Sequence, residues 1–124
     1  MAEDLFVSAA RRVGAAGREA CDAIEAAVDA FELLIQSRLA GASLVDIADD
    51  LIGRGARAMR LASIDAFREY ERAVGAMRAS LVRVLVDEYG LSLTDVAGRL
   101  MVSRQAVARL YRQGREGLEG PSDQ

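Results

Sequence analysis

The chain of 124 residues contains no histidine, no tryptophan and no lysine, and only one cysteine and one proline. Each absence closes off chemistry. Without imidazole, neither a Ser-His-Asp triad nor a histidine-ligated zinc site can be built within one chain. With Cys21 as the lone thiol there is no disulfide framework and no CxxC redox pair, which fits a reducing compartment. No apolar run approaches the ~18 residues of a membrane span. Met1–Asp4 is acidic where a secretory leader would be basic, so a cytoplasmic protein is expected. Only carboxylates, Tyr and Arg remain for catalysis. The acidic pairs Asp49-Asp50 and Asp87-Glu88 are adjacent in sequence, so on a helix their side chains diverge. No enzyme activity, cofactor or metal is expected.

Strand signals are missing too. There is no period-two Val/Ile/Thr run and no Asn-Gly or Asp-Gly turn, and helical spacing dominates, so the chain reads as all-α. What is present is a chain 52% hydrophobic and 28% charged, enough for a core. The net charge of -3 is unevenly spread. Residues 1–50 carry four Arg against ten acids, residues 51–89 seven against five, and residues 90–118 five against two. The acidity lies first and the arginine later.

The spacing predicts a long helix over residues 3–40. Its clearest stripe is Cys21, Ile24, Val28, Phe31 and Ile35, an a/d seam that Leu39 extends and that Ala10, Val13, Gly17 and Ala20 precede with small residues. A helix of this length cannot bury its seam against itself. It packs on the rest of the chain or forms a homodimer interface with a second copy, and Cys21 reads as a small core residue on that seam. Gly41 ends the helix, and Ser43–Asp46 reads as a capping box for a short helix over 44–52. Gly53 and Gly55 break the chain before a helix over 56–89, whose apolar line includes Leu61, Ile64, Phe67, Val74, Met77, Leu81, Val84 and Leu85 and which Gly90 stops. Everything after Leu118 reads as a frayed tail.

Residues 91–113 carry the most informative pattern. Ser92-Leu-Thr-Asp95 is a second capping box, followed by Val96, Ala97 and Leu100 on one face together with Leu93. Ser103 caps a further helix over 103–113, in which Val107 and Leu110 share a face. With residues 78–89 these helices form a three-helix unit.

This segment resembles a bacterial helix-turn-helix DNA-binding unit, on the small residue Ala97, the apolar turn residue Val102, and Val107 and Leu110 in the second helix; Tyr89–Arg112 is also similar to the fourth region of sigma factors. The resemblance covers residues 78–117 and departs from the family pattern at Met101, where glycine is usual. It implies a sequence-specific transcription regulator with its recognition helix in the major groove of double-stranded DNA. Arginine forks to guanine and glutamine to adenine there, which assigns base reading to Arg104, Gln105 and Arg109. Ser103, Arg112 and Thr94 are assigned to phosphates, and Ala108 lies on the same outward face. The expected organisation is a packing and dimerisation region over 1–77, the DNA-binding unit over 78–117 and a tail over 118–124.

Two alternatives stay open. Residues 41–51 match residues 90–100 at an offset of 49, with Gly, Ser, Leu, Asp, Ala and Leu identical, so residues 41–61 form either a degenerate second copy of the motif or an unrelated capped helix. In place of a DNA reader, the chain could be an interaction module that binds a sigma factor, polymerase or other helical partner through its acidic N-terminal helix. No residue identifies a small-molecule effector.

Overall fold

The computed structural model describes residues 4–119, with side chains described through Gly114. The described residues form five α-helices and no strand: α1 (Leu5–Leu39), α2 (Leu44–Gly53), α3 (Ala56–Asp87), α4 (Leu93–Leu100) and α5 (Arg104–Glu119). The all-α reading holds. No described helix is long and apolar enough to cross a membrane. Of the expected tail, Leu118 and Glu119 continue α5, and residues 120–124 lie outside the described residues.

Local chemistry sets the helix ends. Asp4 Oδ1 accepts from the amides of Phe6 and Val7 at 2.7 and 3.2 Å, satisfying donors that a helix start leaves free. Gly41 ends α1 at φ 105°, with its own amide donating to the Arg38 carbonyl and that of Ala42 to Ser37, a Schellman closure. Ser43 caps α2 by accepting from the Asp46 amide at 3.1 Å. Gly90, at φ 70°, stops the chain after α3. Gly75 leaves α3 unbroken.

The helices fall into two compact units, residues 14–70 and residues up to Val13 together with those from Glu71 onward. In the first, α1 and α3 run antiparallel: a Cβ on Gly17 would lie 3.3 Å from the Tyr70 ring, and the Ser63 hydroxyl reaches the Ala23 carbonyl at 3.5 Å. The α1 face turned toward α3 is made of small residues. Ala16 and Ala20 are buried, and Ala23, Ala27, Ala30 and Leu34 continue the stripe half-buried.

The large stripe is elsewhere. Ile24, Val28, Phe31 and Ile35 are about half exposed, so the expected seam does not serve as an intramolecular core. Cys21 is an exposed free thiol, which corrects its reading as a core residue. The reason is steric: alanine lets two helix backbones approach closely, and the bulky stripe is left on the next face round. Helix α2 buries no residue. Residues 41–61 thus trace a helix, a turn and a helix without a core beneath them.

The second unit holds the main core. Ala79 and Val82 of α3, Val96 and Ala97 of α4, and Val107 and Leu110 of α5 are buried together. Leu85, Val86, Leu91, Leu93, Leu100, Val102 and Tyr111 pack round them. Val82, Val96 and Val107 are fully buried, one from each helix. Ala79 and Val82 were not on the apolar line read for α3. A helix with neighbours on more than one side buries positions beyond a single stripe. The start of α1 lies in the same unit, where Leu5, Ser8, Ala9 and Arg12 border an open cleft of about 830 Å³ with α3 residues such as Ser80 and Arg83 and with Gly114 of α5.

Candidate nucleic-acid interface

Helices α4 and α5 are joined by the three residues Met101, Val102 and Ser103. Ser92 and Asp95 form a complete capping box at the start of α4: the Asp95 amide donates to Ser92 Oγ at 3.0 Å, and the Ser92 amide donates to Asp95 Oδ2 at 3.3 Å. At the other end Met101 takes the left-handed conformation, φ 59° and ψ 44°. Its amide and that of Val102 both donate to the Ala97 carbonyl. Met101 is the one described non-glycine residue with positive φ. The turn therefore has the conformation that glycine ordinarily supplies, built on methionine. The Met101 side chain is 91% exposed and recovers little by packing. Val102 then turns inward onto the core, and Ser103 Oγ accepts from the Ala106 amide at 3.0 Å to start α5.

These constraints decide which face of α5 looks out. Val107 and Leu110 are buried and Ala106 half-buried, leaving Ser103, Arg104, Gln105, Arg109 and Arg112 exposed. Thr94 is exposed near the start of α4. Ala108 is half-buried, so it is less outward than expected; it lies between the two faces and a methyl group adds no hydrogen bond there. The exposed row joins three guanidinium groups and one carboxamide, all hydrogen-bond donors, on one helix. The Ser103 hydroxyl oxygen is already engaged as a cap, which leaves its O–H to donate.

Sequence reading did not find the side chains that brace α5. Tyr111 donates its hydroxyl to Asp87 Oδ1 at 2.7 Å, across from α5 to the end of α3. Arg83 pairs with the same Asp87 and lies over the Tyr111 ring, 5.7 Å from its centroid. Gly114 allows close approach, since a Cβ there would stand 3.1 Å from the Ala79 carbonyl oxygen. Arg83 and Asp87 are a local i,i+4 pair, but the contacts that reach α5 follow no local spacing rule, because they join residues 24 or more positions apart.

The residues expected at the dimer interface, Cys21, Ile24, Val28, Phe31 and Ile35, are all exposed along α1. No cluster of acidic or thiol side chains suited to a metal ion occurs among the described residues. Comparison of the chain with protein-family models, curated proteins and solved structures finds no match.

Proposed function

We propose that the chain is a DNA-binding transcription regulator that reads a specific sequence with α5 in the major groove. The observation that carries this reading is the outer face of α5. Arg104, Gln105, Arg109 and Arg112 stand exposed on a helix whose inner face, Val107 and Leu110, is locked into a three-helix core. The residue types are those that pair with base edges: Arg with guanine O6 and N7, Gln with adenine N6 and N7. Arg104, Gln105 and Arg109 read bases in this account. Thr94, Ser103 and Arg112 hold phosphates and set the register, while Ala108 lies close to the groove. The acidic total charge is compatible with this role, because ten of the acids lie in residues 1–50, whereas over residues 90–118 five Arg face only two acids. The functional form is a homodimer that reads two half-sites about one helical turn, ~34 Å, apart or a multiple of it.

The test is selection from a pool of random-sequence DNA duplexes followed by a gel shift on the enriched sequence. Replacing Arg104 and Gln105 together by Ala should cost roughly 1–3 kcal/mol per lost base contact and relax selectivity at those positions. Replacing Arg112 should weaken all sequences alike and lower the salt slope by about one. Failure of the wild type to enrich any sequence sinks the reading. A helical protein partner, such as a sigma factor or polymerase subunit, is the second reading, favoured by the acidic and apolar exposure of α1. Capture of that partner by a chain that shifts no DNA would support it.

A further inference from the structure

The unpartnered apolar surface of residues 14–70 is wider than one seam. On α1, Ile24, Val28, Phe31 and Ile35 turn about 90° away from the alanine stripe that meets α3, at about 100° per residue. On α3, Leu61, Ile64 and Phe67 are exposed and turn in the same rotational sense from Ser63, Ala66 and Tyr70, which are half-buried. Because the two helices are antiparallel, equal senses of rotation bring both stripes to the same side of the pair. Phe67 lies beside Tyr70, with ring centroids 6.4 Å apart, and Tyr70 covers Gly17 of α1. The two stripes therefore form one continuous face.

We propose that this face is closed by a second copy of the chain, giving a four-helix bundle in which α1 of each copy lies over α3 of the other. Two arguments select this occupant. The first is area. Phe31 is 60% exposed, Phe67 49% and their neighbours about half. Seven such side chains present on the order of 600 Å² per copy, which Leu39 and the flanking stems bring toward the ~800 Å² per partner of a standard interface. A monomer seldom leaves so large a patch open. The second is charge. Along the outer edge of the face, α1 carries Asp22, Glu25, Asp29 and Glu32, with Arg18 as its one base. The corresponding edge of α3 carries Arg57 and Arg68, with Asp65 as its one acid, and Arg60 stands within the face between Phe67 and Ile64. A two-fold axis parallel to the helices lays the net acidic edge of α1 along the net basic edge of α3 in the other copy, with Asp29 level with Arg57, while Arg18 stands level with Arg68 and Asp22 with Asp65. A two-fold axis across the helices would set acid on acid, which opposes association. The charged edges thus choose between two packings that the apolar face alone would allow. In the favoured one, Gly14 and Tyr70 of both copies lie at the same end of the bundle.

This interface supplies the homodimer of the proposed function and depends on none of its base or phosphate contacts. Analytical ultracentrifugation of the full chain at tens of micromolar should give twice the mass of 13.3 kDa. Phe31→Glu and Phe67→Glu should each give a monomer with an unchanged helical circular dichroism spectrum, since neither side chain is buried within the copy. Glu25→Arg with Glu32→Arg should weaken self-association by about tenfold or more, and mixing with an Arg57→Glu, Arg60→Glu chain should restore a heterodimer. A monomeric wild type overturns the proposal. So does a dimer that survives Phe67→Glu, or one that the Glu→Arg exchanges tighten, because α1 would then be facing its own copy. A monomer that still shifts its selected DNA sinks this interface and leaves the DNA reading in place; a dimer that shifts none does the reverse.

Discussion

Replacing Met101 by Gly should stabilise the unit formed by α3, α4 and α5. Met101 sits at φ 59°, ψ 44°, where its Cβ crowds the following carbonyl. That conformation costs a non-glycine residue about 1–2 kcal/mol. Its side chain is 91% exposed, so truncation removes almost no packing. Glycine gives back part of the gain through its greater freedom in the unfolded chain, roughly 0.4–1 kcal/mol. The net expectation is a stabilisation of about 0.5–1 kcal/mol, or roughly 2–4 °C in melting temperature for a chain of this size. Urea unfolding followed by circular dichroism measures it, with the denaturant slope expected to stay constant. Met101→Ala is the control. It deletes the side chain but keeps the left-handed strain, so it should leave stability within about 0.5 kcal/mol of wild type. If Met101→Ala stabilises as much as Met101→Gly, the effect comes from the exposed thioether and the backbone argument is wrong. A destabilising Met101→Gly refutes it outright.

Two further substitutions probe how α5 is held. Val107→Ala deletes two buried carbon groups at a fully buried position and should cost about 2–3 kcal/mol in urea unfolding; a cost below about 0.5 kcal/mol would mean the three-helix core is not packed as described. Gly114→Ala raises helix propensity by about 1 kcal/mol, yet it places a Cβ 3.1 Å from the Ala79 carbonyl oxygen. Backbone cannot swing aside like a side chain, so net destabilisation of about 1–2 kcal/mol is expected, and a more stable variant would show that α5 does not approach α3 there.

Much of the local structure was legible because it depends on neighbours in sequence. The caps at Ser43, Ser92 and Ser103 and the glycine stops at Gly41 and Gly90 are short-range hydrogen-bond and backbone effects, and they appear where the spacing places them. The outward set on α5 followed from Val107 and Leu110 for the same reason, with Ala108 the partial exception. The face of α3 that meets α4 and α5 was less legible. Hydropathy pointed to Leu81, Val84 and Leu85; Leu85 does pack against the core, but Ala79 and Val82 occupy its buried centre, because a crowded helix contact favours smaller side chains. The same principle narrowed the two readings of the α1 stripe: the alanines face α3 and the large residues do not, so the stripe is not an intramolecular core.

By itself, then, the sequence determined the helical class, the capped starts of α2, α4 and α5 and the chemical types available on α5, all of them consequences of period, capping and composition, but not the end of α5, which runs beyond the expected 113 to Glu119. It also excluded imidazole and paired-thiol chemistry. Only the tertiary structure decided that residues up to Val13 join the unit that begins at Glu71, that Tyr111, Asp87 and Arg83 brace α5 against α3, and that the strongest apolar stripe of α1 lies open beside that of α3. Those features depend on which helix backbones come close, and closeness is set by side-chain volume at contacts far apart in the chain, which no local spacing encodes.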